Sequence, residues 1–146
     1  MITRRTALLG MAAATVALPM QQVLAADRKR LFFYDLYTKG TTTLSESALG
    51  LNGSPVEIVG FMAPPLKAEA PFFVLTDIPM ETCPFCDDIA FWPDNIIYAT
   101  SDETLPMVPF DRQIRVAGLL DVGEAKDEAT GFVSLVRLKQ AVVTRS

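Results

Sequence analysis

Ile114-Arg115-Val116-Ala117-Gly118-Leu119-Leu120-Asp121-Val122 carries the clearest two-residue period in the chain. Ile114, Val116, Gly118, Leu120 and Val122 alternate with Arg115, Ala117, Leu119 and Asp121. Successive side chains of an extended backbone point to opposite faces, so this pattern predicts a strand with one buried face. Downstream, residues 132–143 repeat it, with Val136 and Leu138 set against Arg137 and Lys139. Upstream, Val56–Met62, Phe72–Ile78 and Ile96–Ala99 are rich in β-branched and aromatic residues and are separated by Pro, Gly and Asp clusters. No window carries a long helical stripe, and ten prolines interrupt the candidates. Five short strands between residues 55 and 146 predict an all-β fold, a small five-stranded OB-like barrel with a long cysteine-bearing loop. Gly60 and Gly118 inside otherwise good strands mark the bends or bulges that closure needs. The predicted core is Ile58, Phe73, Leu75, Ile97, Val116, Leu120, Val136 and Leu138.

Outside that domain the chain reads differently. Residues 1–25 have the build of an export signal: Thr3-Arg4-Arg5-Thr6-Ala7, an apolar run through Leu18, and small residues at Val23-Leu24-Ala25, which put the mature start near Ala26. The paired arginines resemble a twin-arginine signal, with Ala7 where Phe is usual and Leu9 where Lys is frequent. An ordinary secretory signal is the alternative, and both routes lead to the periplasm. The apolar run is shorter than the roughly 20 residues a membrane span needs, so no stable insertion is expected after cleavage. Residues 26–54 form a lead-in. Its Leu31–Tyr37 stretch is apolar and reads as a strand or a segment packed on the domain. The Thr-, Ser- and Gly-rich run that follows reads as loop, with one helical turn at Ser45–Leu49.

Without residues 1–25 the chain keeps all 17 acidic side chains and loses Arg4 and Arg5. An acidic domain with no basic stretch has few cations for a nucleic-acid backbone, so nucleic acid is not expected as a partner. The chain has no histidine. That removes Ser-His-Asp and Cys-His nucleophilic sets, and no glycine-rich phosphate loop is present. No catalytic residue is assigned.

The chemistry gathers at Cys83-Pro84-Phe85-Cys86, which holds both cysteines of the chain, in the connection between the second and third strands. Three readings stay open. Two thiolates three residues apart can clasp a soft or borderline cation, zinc or copper, with Asp87 and Asp88, and also Glu81 or Asp94, or the same cysteine pair of a second chain, to complete the ligand set. Thioethers of Met62, Met80 and Met107 are further donors for copper, although a methionine is more often core filler. The same cysteines can close a structural disulfide in an oxidising compartment, with a small entropic gain because the closed loop is tiny. They can also exchange disulfides, since Cys-Pro-Phe-Cys looks like a glutaredoxin motif. Pro93 then cuts short the helix that motif requires, and Glu81, Asp87 and Asp88 favour the neutral thiol. A c-type haem is excluded because Asp87, not histidine, follows Cys86. Phe91 and Trp92 offer an apolar patch for a partner.

The order of these pieces resembles the domain of unknown function 3299 family of exported bacterial proteins. The residues that carry the resemblance are Val56-Glu57-Ile58-Val59-Gly60-Phe61-Met62-Ala63-Pro64-Pro65, Phe72-Phe73-Val74-Leu75, the Cys-Pro-Phe-Cys run with Trp92-Pro93-Asp94, and Val116-Ala117-Gly118-Leu119. In the best-known branch the middle motif is a cysteine closely followed by histidine and a proline run ending Pro-Asn-Gln. Here Cys86 and Pro93-Asp94-Asn95 stand in and the histidine is missing, so a histidine-based metal site does not carry over. The resemblance implies an exported accessory protein linked with ABC-type permease systems and metal homeostasis. The expected function is therefore a periplasmic, non-enzymatic binding or accessory protein whose CxxC loop binds a metal ion or forms a disulfide. Its expected partner is an ABC-type permease system or another periplasmic protein. The alternative is a thiol–disulfide oxidoreductase using Cys83 and Cys86.

Overall fold

The structure is a computed structural model that describes residues 27–64, 71–81, 96–105, 107–128 and 131–145. The export-signal region lies outside the described residues. Strand β1 (Lys29–Leu31) leads through a 3-10 turn (Phe33–Asp35) to helix α1 (Glu46–Gly50). Strands β2 (Pro55–Met62), β3 (Phe72–Thr76), β4 (Ile96–Thr100), β5 (Gln113–Lys126) and β6 (Val133–Arg145) follow. The all-β class is as the alternating patterns predict.

Pairing of these strands closes on itself. One edge of β2 pairs antiparallel with β5 from Pro55↔Leu119 to Phe61↔Gln113. Its other edge is shared, with β1 running parallel at Val56–Ile58 and β3 antiparallel at Phe61↔Thr76 and Met62↔Leu75. β3 pairs antiparallel with β4, β4 parallel with β6, and β6 antiparallel with β5. The five strands β2–β6 thus form a ring of pairings, and β1 is a sixth strand beside it. Inside lie the eight predicted core residues, all buried, together with Val56, Met62 and Ile114. Burial of this apolar surface is the main favourable term of folding.

The two glycines mark crowded points. A Cβ on Gly60 would lie 2.6 Å from the Thr76 carbonyl oxygen, and one on Gly118 would lie 2.8 Å from that of Lys139. Gly118 also sits at a register shift, because Ala117 pairs with Val142 and Leu119 with Lys139. The extra residue is on β6, where Gln140 takes a positive φ of 52°. A second shift falls between Val122 and Ala125.

Three elements depart from the sequence-based boundaries. β3 stops at Thr76, not Ile78, because the buried Thr76 hydroxyl donates to the Ile78 carbonyl at 2.7 Å and turns the chain out of the ladder. β5 runs on to Lys126 because Ala125 and Lys126 pair with Ser134 and Val133, partners that local periodicity cannot reveal. The sheet has six strands because the lead-in supplies β1. Leu31, Phe33, Leu36, Tyr37 and Ala48 of that lead-in belong to the main core. Ser45 caps α1 by accepting from Ala48 N at 3.0 Å, and its hydroxyl donates to the Asp35 carbonyl, which ties the helix to the preceding turn.

Candidate functional site

Thr76 and Ile96 are paired in register, so the cysteine-bearing connection, residues 77–95, leaves and re-enters the sheet at neighbouring points. Both feet are fixed. Thr76 is fully buried, its hydroxyl 3.2 Å from the Phe61 carbonyl as well as bonded to Ile78, and Ile96 packs with Ala63 and Val74. The two strands that carry the connection are buried on both faces. Phe73, Leu75, Ile97 and Ala99 join the main core, while Val74 and Ile96 form a second cluster with Ala63 on the other side. Their near-continuous apolar sequences have that cause.

Residues 82–95 lie outside the described residues. The metal ligands predicted there, Cys83, Cys86, Asp87 and Asp88, the disulfide between Cys83 and Cys86, and the partner-binding pair Phe91 and Trp92 therefore fall beyond them, as does Asp94. Of the accessory donors, Glu81 is exposed at the foot of the connection. Met62 is buried in the core and Met107 is exposed. Among the described residues no group of three Cys, Asp or Glu side chains is placed to hold a metal ion. No helix of the described residues is long and apolar enough to cross a membrane.

Two clefts are formed by described residues. One, of about 520 Å³, lies between the lead-in and the foot of the cysteine connection, lined by Phe33, Tyr34, Tyr37, Lys39, Thr41 and Asp77 among others. Beside it Phe32 and Tyr34 stack with ring centres 5.1 Å apart and planes within 7°, and the Arg30 guanidinium lies 5.9 Å from the Phe32 ring centre. Arg30 lies on β1, Phe32 follows that strand, and Tyr34 lies in the 3-10 turn, where it is 74% exposed.

The other cleft, of about 430 Å³, lies over β4, β5 and β6. At its centre Arg137 is paired in register with Tyr98 on one side and Asp121 on the other. Arg137 Nε donates to Asp121 Oδ2 at 2.8 Å, and Nη1 donates to the carbonyls of Gly123 and Ser134, each at 2.8 Å. Lys139 Nζ reaches the same Asp121 oxygen at 2.8 Å. The hydrogen bond from Arg137 holds the Asp121 carboxyl below its ordinary range; that from Lys139 and the charges of both cations act in the same direction, against partial burial. Tyr98, the register partner of Arg137 on β4, stacks in tilted fashion on Phe132, ring centres 5.2 Å apart. The sequence pattern places Arg137 and Lys139 outward but gives no sign that Arg137 is buried, since its burial depends on strands far away in sequence.

No family model matches this chain, and no curated protein matches it. Among solved structures, the crystal structure of a DUF3299 family protein from Pseudomonas aeruginosa PAO1 is similar, with a TM-score of 0.55 at 15% identity. The likeness covers 82% of this chain and 97% of that one. The chain therefore has the fold of a DUF3299 family protein, the family that its own motif order resembles.

Proposed function

We propose that this chain is an exported, non-enzymatic binding or accessory protein of the DUF3299 family, which displays its Cys83/Cys86 connection from a rigid rim. The observation that carries this reading is the clamped base of that connection: Thr76 and Ile96 are paired and buried, and their strands are packed on both faces. A loop held at both feet by rigid strands has its ends positioned at no further entropic cost, the usual arrangement for a recognition loop. The ring of β2–β6, with four antiparallel pairings and one parallel pairing, supports an OB-type barrel as its geometry. The proposed setting is the periplasm, after cleavage near Ala26 and export by the twin-arginine route. The proposed partner is an ABC-type permease system or another periplasmic protein.

In this reading Cys83 and Cys86, with Asp87 and Asp88, hold zinc or copper, or the cysteines form a disulfide that staples the loop, and Phe91 and Trp92 meet the partner. Native mass spectrometry of the mature protein, recovered from the periplasm without added metal or reductant, tests it. A stoichiometric metal adduct that Cys83→Ser abolishes establishes the metal clip. A mass two hydrogens below that of the reduced chain establishes the disulfide. A fully reduced chain without metal overturns both. Insulin reduction is the second assay: a Cys83-dependent rate would replace the accessory role with thiol–disulfide exchange.

A further inference from the structure

The polar cleft over β4, β5 and β6 has more than an ion pair between strands requires. The Arg137 side chain is only 10% exposed, on a face that strand alternation turns to water. Its guanidinium commits Nε to Asp121 and Nη1 to Ser134 and Gly123, and among the described residues Nη2 has no acceptor. A nine-tenths-buried guanidinium with an uncommitted donor at a cleft wall is primed for an anionic group. Next to it, Gln140 is in the left-handed region at φ 52°, an uncommon conformation for a non-glycine residue. Two register shifts in the β5–β6 ladder flank the cleft, and bulges of this kind re-aim side chains beside binding sites. The volume of about 430 Å³ falls in the range of small-molecule pockets.

Charge selects the ligand class. Asp121 with Arg137 and Lys139 leaves one net positive charge, while Lys126, Asp102 and Asp127 line the rest of the cleft. A dianion meets three carboxylates there, and a simple cation meets three basic groups. A molecule with one charge of each sign avoids both penalties. We propose that this cleft binds a small zwitterion of amino-acid size, its carboxylate held by Arg137 and Lys139 and its ammonium group by Asp102. The site is separate from the cysteine connection and does not depend on the role proposed for it.

Calorimetric titration of the mature protein with each standard amino acid tests the site, with propionate, propylamine and inorganic phosphate as comparators. The expected result is saturable one-to-one binding of at least one amino acid, about tenfold or more tighter than any comparator. Lys139→Gln and Asp102→Asn, both at solvent-accessible positions, should each weaken that binding about tenfold while leaving the thermal midpoint near that of the parent. Absence of saturable binding at about 10 mM amino acid would overturn the proposal. So would phosphate binding as tightly as the amino acid, or unchanged affinity in both variants.

Discussion

Arg137 and Asp121 face each other across β5 and β6 with Nε 2.8 Å from Oδ2, and the same oxygen also receives Lys139. One carboxylate thus anchors two cations of neighbouring outward positions on β6. The pairing lowers the Asp121 pKa below its ordinary value of 3.8. A carboxyl that is more acidic in the folded state binds fewer protons there than in the unfolded chain. Its contribution is present above pH 3.8 and is lost as pH falls through the folded value. Urea unfolding across the acid range should show this loss in the parent and a flatter acid limb in Asp121→Asn. At neutral pH that variant should lose about 1–2 kcal/mol, because Arg137 keeps its buried position without its carboxylate.

Gly60→Ala should destabilise the protein by about 1–3 kcal/mol, since the added methyl would sit 2.6 Å from the Thr76 carbonyl and backbone must shift to admit it. The shift would fall on Thr76, the first foot of the cysteine connection. Denaturant midpoints measure the cost. A stability equal to the parent would mean that β2 and β3 do not approach as closely as described.

Leu36→Ala tests whether the lead-in is structural. Leu36 is fully buried in the main core, so truncation should cost about 2–5 kcal/mol, as at any core leucine. Tyr34→Ala, two residues away and exposed, should change stability by less than about 0.5 kcal/mol. Equal effects in the two variants would separate the lead-in from the core.

Ser45→Ala removes the cap of α1 and the donor to the Asp35 carbonyl together. The expected loss is about 1–2 kcal/mol. Hydrogen exchange should quicken first at Ala48, whose amide donates to the Ser45 hydroxyl, and little in β4 or β6.

The strands were legible because burial leaves a local trace. Val56, Ile58 and Met62, and Ile114, Val116 and Leu120, face one core at every second residue, and that period is visible in the chain itself. Phe73-Val74-Leu75 and Ile96-Ile97-Tyr98 lack the alternation because both faces are covered. The lead-in was less readable. Leu31, Phe33, Leu36 and Tyr37 are buried through a three-residue strand and a 3-10 turn, elements too short to impose a period. The cysteine pair was conspicuous by composition, although its residues lie outside those described.

The sequence by itself determined the β class and the eight-residue core, because periodicity and branching are properties of neighbouring residues. It reads Gly60 and Gly118 as bends or bulges, whereas a register shift falls at Gly118 alone and both are crowded by carbonyls from distant strands. Only the tertiary structure decided which strands meet. Asp121 and Arg137 are 16 residues apart in the chain, and Tyr98 is farther still, yet register puts all three side by side. Register follows from the sum of many inter-strand bonds, including the unpaired Gln140 in the β6 bulge, and no local pattern specifies it. The polar cleft and the clamped feet at Thr76 and Ile96 are therefore products of the closed ring and not of any single stretch of the chain.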